Sequence, residues 1–292
     1  MNRLIFSHIA LFIANTIYAV NYIFAKDVMP IYITPKAFIL LRVLGAAIIF
    51  LIIHSIFIKE KLEKKDFIYL SLCALFGIVI NMLCFFEGLN LTTPINASLI
   101  MITTPLIVYL ISFFFLKEKQ QDKALVGVIL GLLGATLLIT EGNLNFELNS
   151  LGDILVFLNA ASYAIYLILI KSMMKKYHAI TVLKTVFLIG LVILLPIGGP
   201  EFLQINFSDM PIDIVLKTLF VVLFTTCGAY FLNIYAISKL KATTVAFYIY
   251  LQPLLATLLA VLLGKDFLTG LKLISATLIF LGVYFVLKSA SR

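Results

Sequence analysis

Two basic residues stand where charge is expensive. Arg42 lies about seven residues into an apolar run that opens at Pro35, and Lys184 sits comparably near the start of a run that opens at Ile180. Seven helical residues correspond to about 10 Å of depth. Ionisable groups that deep in hydrocarbon mark substrate or ion pathways unless they reach back to the surface. The planar guanidinium of Arg42 can hold a carboxylate through two parallel hydrogen bonds. The competing reading ties it to helix carbonyls or lets it snorkel. Lys184 fits snorkelling, and His8 and His54, each close to one end of a run, fit solvated side chains.

Uncharged polar residues recur at helical spacing. Asn15, Tyr18 and Tyr22 fall at i, i+3 and i+7, and Asn159, Tyr163 and Tyr166 at i, i+4 and i+7, so each trio shares one helix face. Thr226, Tyr230 and Asn233 form a similar stripe, as do Thr244, Tyr248 and Gln252, while Asn81, Asn96 and Thr103 add single groups. An unpaired polar group in hydrocarbon costs several kcal/mol, so these stripes are expected to face a water-filled cavity that binds a small solute. The plainer alternative is bonding between helices, worth about 0.6 to 2 kcal/mol per residue, with tyrosines anchored at headgroup level. Tyr163 and Tyr166 lie near mid-span, where anchoring fails.

Three further residues bear on how such a cavity would work. Glu87 closes its apolar run five residues before Thr92 and is the candidate for proton coupling, with an ordinary interfacial carboxylate as the alternative. Pro105 and Pro253 each remove a backbone donor within an apolar run, which makes them candidate hinges or else static kinks. Gly127, Gly131 and Gly134 have the spacing of a close helix contact.

All of these residues belong to one kind of element. The chain has 292 residues, 63% of them hydrophobic and 12% charged, with a mean hydropathy of +1.14, which no soluble core absorbs. Its charges cluster between ten apolar runs of bilayer-crossing length. They span roughly 7–28, 35–57, 67–86, 94–116, 124–140, 154–174, 180–197, 214–237, 243–263 and 271–287. The first run is too long for a signal-peptide core and is expected to remain as a helix. Cys73, Cys84 and Cys227 all lie inside runs, without metal-ligand or disulfide spacing, and read as small hydrophobes.

The net charge of +8 belongs to topology rather than to nucleic acid. With the N-terminus inside, fifteen of the 22 lysines and arginines fall on inner segments and five on outer ones, Arg42 and Lys184 being within helices. The positive-inside rule then places both termini in the cytoplasm.

The two halves resemble each other. An offset of 148 aligns Pro105 with Pro253, Lys117 with Lys265, Glu118 with Asp266 and Gly134 with Gly282, and an offset of 145 aligns Tyr18, Ala19 and Lys26 with Tyr163, Ala164 and Lys171. The repeats cover residues 1–142 and 150–290. Five crossings per repeat is an odd number, so the second half is inserted upside down. The fold class is an all-α integral membrane protein of ten transmembrane helices in two inverted-topology five-helix repeats.

Glu87-Gly88-Leu89, Asn96-Ala97-Ser98-Leu99, Pro105 and Lys117-Glu118, together with Lys26 and Arg42, resemble the ten-helix EamA-type transporters of the drug/metabolite superfamily over nearly the whole chain. That resemblance implies a central cavity lined mainly by helices 1, 3, 4, 6, 8 and 9, and export of amino acids or related metabolites.

No nucleotide-binding, zinc-protease or nucleophile-elbow motif occurs, so neither a motor domain nor an enzyme is expected, and no metal or cofactor. The expected partners are a small-molecule substrate and the lipid bilayer of the cell (inner) membrane, with no nucleic acid and no obligatory soluble partner, and the chain is compatible with a monomer. Efflux of drug-like or purine-like compounds and a non-transporting enzyme or sensor are the alternatives. Carboxylates near mid-membrane, the usual anchors for lipophilic cations, are missing.

Overall fold

Apolar side chains cover the outside of this molecule as well as its core: Phe57, Ile68 and Val192 are 75, 73 and 69% exposed. Such a surface is stable against lipid, and backbone polar groups in lipid must be satisfied within the chain, which selects helices. A computed structural model describes residues 2–114, 122–143, 151–262 and 267–290. Among the described residues, ten helices are long and apolar enough to cross a membrane. They are α1 (Leu4–Val28), α2 (Pro35–Ile58), α3 (Lys64–Leu91), α4 (Pro94–Phe114), α5 (Asp122–Thr140), α6 (Leu151–Met173), α7 (Ala179–Phe202), α8 (Ile212–Ile237), α9 (Ala242–Leu259) and α10 (Gly270–Lys288). An even number of crossings puts both ends of the chain on one face, called here the terminal face. The loop pairs Lys117-Glu118 and Lys265-Asp266, and Glu147, lie outside the described residues.

The packing follows the repeat. α1 packs on α8 as α6 packs on α3, while α2 pairs with α7, α4 with α9 and α5 with α10, so exchanging the halves maps these contacts onto one another. Small residues bring α5 and α10 together. A Cβ on Gly127 would lie 2.7 Å from the Gly282 carbonyl oxygen, and one on Gly134 would lie 2.8 Å from that of Ser275. The offset of 148 carries Gly127 to Ser275 and Gly134 to Gly282, so these two contacts are symmetry mates.

The helices that face the centre are irregular, again in pairs. α3 widens to a π-turn over Leu75–Val79, and its counterpart α8 does so over Val221–Gly228. α4 breaks between Met101 and Thr104, and α9 tightens to a 3-10 segment over Tyr248–Tyr250, in each case just before the proline. Pro105 and Pro253 have no N–H to give to residues 101 and 249, and their rings crowd those carbonyls. The two apolar runs read as continuous helices are therefore each two half-helices.

Some helix ends lie beyond the sequence reading. α3 continues to Leu91, so Glu87 sits a turn inside it instead of closing it. Lys26 explains the extra turn: its ammonium donates to the carbonyls of Leu89, Asn90 and Thr92 at 2.8, 3.3 and 3.3 Å, capping the C-terminus of α3. α7 runs through Pro196 and Pro200 to Phe202. On the terminal face, the Asp66 carboxylate accepts from Lys176 at 2.8 Å and from the Tyr177 hydroxyl at 2.7 Å. That carboxylate holds the Tyr177 phenol above its ordinary pKa.

Candidate functional site

The inward stripes of α1, α2, α3, α6, α8 and α9 enclose a cavity of about 80 Å3 at the centre of the bundle. Ten of the residues read from the sequence line it: Asn15, Tyr18, Tyr22, Arg42, Asn81, Asn159, Tyr163, Tyr230, Asn233 and Gln252. Its remaining wall includes Asn21, Thr225, Phe85, Phe86, Met101, Val245 and Ile249.

Arg42 is 2% exposed, and the side chains around it fix its plane. Its Nε donates to Thr226 Oγ1 at 2.8 Å, and that hydroxyl donates in turn to the Val221 carbonyl at 2.8 Å across the π-turn. Its Cζ stands 4.3 Å from the centre of the Phe86 ring and 5.9 Å from that of Phe38, both cation–π distances. Arg42 Nη1 is buried with no hydrogen-bond partner.

About two and a half turns further along α3, its π-turn offers backbone carbonyls to the opposite helices. Tyr230 donates its hydroxyl to the Gly77 carbonyl at 3.2 Å, and the Ser162 hydroxyl donates to that of Phe76. Asn159 Nδ2 donates to the Asn81 carbonyl at 2.7 Å, which leaves Asn159 Oδ1 buried without a donor. Asn21 Oδ1 and Thr225 Oγ1 are likewise buried without partners. In a native interior such groups are few, and each calls for an explanation.

Toward the terminal face the cavity is closed by polar bonds between α1 and its neighbours. Gln252 donates to Asn15 Oδ1 at 2.8 Å, Asn233 Nδ2 donates to the Tyr18 hydroxyl at 3.2 Å, and His8 Nδ1 lies 2.9 Å from the Tyr248 hydroxyl. The half-helix Ala242–Phe247 is buried throughout and packs on the half-helix Thr104–Phe114. Toward the other face, a second cavity of about 750 Å3 separates Pro94–Met101 of α4 from Leu251–Leu262 of α9. It shares Tyr22, Met101, Ile249 and Gln252 with the first and reaches Glu141 and Asn143 beyond the end of α5. The site is closed at the terminal face and approached from the opposite one.

Six of the residues read as lining stand elsewhere, Thr226 as the acceptor of the Arg42 Nε bond and Thr244 within the buried half-helix Ala242–Phe247. Tyr248 belongs to the 3-10 segment, whose tighter winding turns it to His8, while Val245 and Ile249 reach the cavity with Gln252. Thr103 lies in the break of α4 and donates to the Ile100 carbonyl at 2.7 Å. Asn96 sits in the first turn of α4, where its backbone N–H is capped by Thr93. Tyr166 lies behind Tyr163 with its ring against Gly77. Glu87 is half-buried away from both cavities, with Lys36 and Glu201 as its charged neighbours. His8 and His54 are bonded rather than solvated, His54 Nε2 lying 3.1 Å from the Glu60 carbonyl.

Two polar lining residues escaped the sequence reading. Asn21 shares the face of Tyr18 at i+3 and was within reach of periodicity. Thr225 was not, because the π-turn adds a residue to the turn and brings it inward beside the Thr226 that regular spacing selects.

Comparison with known proteins agrees with this architecture. A solved crystal structure superimposes with a TM-score of 0.77 at 17% identity, covering 98% of each chain, which shows the fold. An uncharacterized transporter of Archaeoglobus fulgidus is 28% identical over 215 residues, 72% of this chain and 73% of its own. The uncharacterized transporter YyaM of Bacillus subtilis is 25% identical over 246 residues, 82% of this chain and 79% of its own. The model of the EamA-like transporter family matches twice, over residues 5–140 and again over 150–288. With both repeats matched, this multi-pass membrane protein belongs to the EamA-like transporter family.

Proposed function

We propose that the protein is a secondary transporter that exports amino acids or related small metabolites by alternating access, with both termini in the cytoplasm and no catalytic step. The observation that carries this reading is the central cavity, walled by amides, tyrosines and one guanidinium, closed at the terminal face and approached from the other. An inverted repeat supplies two nearly equivalent packings of the same helices, and the paired breaks before Pro105 and Pro253 are where the half-helices swing. Among the described residues, no aspartate or glutamate lines the central cavity, which disfavours lipophilic cations. Glu87, near Lys36 and Glu201, is the residue assigned to proton coupling.

Purified protein in proteoliposomes, offered labelled amino acids, nucleobases and lipophilic cations with and without a proton gradient, tests this reading. Saturable flux of amino acids or their relatives is expected, driven by the gradient and freed from it by Glu87→Gln. Saturable flux confined to cations or nucleobases would replace the substrate class. No flux of any compound by folded protein would remove the transporter reading.

A further inference from the structure

Four polar atoms at the central cavity are buried and unpartnered: Arg42 Nη1, Thr225 Oγ1, Asn21 Oδ1 and Asn159 Oδ1. Their residues are 2, 1, 4 and 2% exposed. Each such group costs free energy unless a ligand completes it. Their chemistry is not uniform. Arg42 offers a donor with positive charge and Thr225 a hydroxyl, whereas the two amide oxygens accept only.

Neighbouring contacts place the two kinds at different depths. Arg42 lies against Phe86 on α3 and Thr226 on α8. Asn159 is bonded to Asn81 on α3, and Asn81 in turn lies 3.4 Å from Tyr230 on α8. From Phe86 to Asn81 is five residues and from Thr226 to Tyr230 four, about 6 to 8 Å at the helical rise. Asn21 falls on the same inner level, since Tyr18, one turn away, meets Asn233. The cavity thus has a cationic donor pole on the side of the opening and an acceptor pole below it.

We infer that the site reads a small acid by both ends: its carboxylate lies on Arg42 and Thr225, and a hydrogen-bond donor on the same or the adjacent carbon meets Asn21 and Asn159. This inference rests on the transporter reading and narrows its substrate. An axial offset of about 6 to 8 Å between the two levels, bridged by two hydrogen bonds of about 2.8 Å, suits a short spacer. An ammonium and a hydroxyl both satisfy the acceptor pole, so α-amino and α-hydroxy acids share the required chemistry. A buried guanidinium without a carboxylate gains more from an anion than any neutral donor can supply.

Calorimetric titration of the full chain in detergent tests the assignment with matched probes: 2-aminobutyrate, 2-hydroxybutyrate, butyrate and sec-butylamine, with the corresponding phenylpropyl compounds as a larger set. The expected result is that one or both of the two-ended acids bind, that butyrate is weaker by about tenfold, and that the amine does not bind. A preference between the two-ended acids tells ammonium from hydroxyl. Thr225→Val and Asn21→Leu break no hydrogen bond described above, so they test the poles even if Arg42→Gln fails to fold. Thr225→Val is expected to weaken all acids by about tenfold, and Asn21→Leu to reduce the advantage of two-ended acids over butyrate by a similar factor. Binding of the amine as tight as that of the acids, indifference of all probes to Thr225→Val and Asn21→Leu, or no binding in either set would overturn the inference. Saturable proteoliposome flux that ignores these substitutions would leave the transporter reading standing without this site. Two-ended binding without flux would leave the site standing and remove transport.

Discussion

At the scale of single residues, closure at the terminal face depends on a few polar bonds that a moving helix can exchange. Asn15 with Gln252 and Tyr18 with Asn233 join α1 to α9 and α8, and the amide of Asn15 is further held by donation to the Leu11 carbonyl at 2.8 Å. One buried hydrogen bond is worth about 1 kcal/mol, enough to shift a two-state equilibrium about fivefold. Gln252→Leu is therefore expected to populate the form open at the terminal face. In a chain whose three cysteines are replaced, a cysteine substituted for Val245 should react about fivefold faster with an impermeant maleimide applied from that face. An unchanged rate would remove Gln252 from the closure. Most lining residues could be read beforehand because regular α-helical spacing governs α1, α2 and α6. The inward place of Thr225 and the outward places of Tyr248 and Thr103 could not, because each lies in or beside a turn that departs from that spacing.

At the scale of elements, the irregular turns do the placing. The π-turns of α3 and α8 put Gly77, Thr225 and Thr226 around the cavity, and the breaks of α4 and α9 let their half-helices take separate directions. Pro253→Ala restores the missing N–H and relieves the ring clash. It is expected to slow transport severalfold while leaving thermal stability equal or higher, measured as flux beside the unfolding midpoint in detergent; unaltered flux would make Pro253 a static kink. The α5–α10 seam has the opposite character. Gly127→Leu forces a side chain against the Gly282 backbone and is expected to cost about 1 to 3 kcal/mol, seen as a lowered midpoint. The triple glycine spacing made that seam legible in the sequence. Proline positions marked where α4 and α9 yield, but nothing in composition says that a π-turn will form in α3 and α8.

At the scale of the whole molecule, the repeat was the most informative feature of the sequence, since one offset related residues that the fold brings into equivalent packing. Gly134 and Gly282, aligned by sequence, occupy symmetry-related contacts of the α5–α10 pair. Orientation rests on charge: most lysines and arginines fall on segments of the terminal face. Tags at both termini are accordingly expected to resist external protease on intact cells and to be cleaved after permeabilisation, and cleavage on intact cells would reverse the orientation.

Alternating access exposes one cavity to either side in turn, which predicts exchange. Uptake of a labelled substrate into proteoliposomes should saturate and should be accelerated by unlabelled substrate trapped inside, because a loaded carrier returns faster than one with unpaired buried groups at Arg42 and Asn159. Uptake that rises linearly with concentration and ignores substrate on the far side would contradict alternating access.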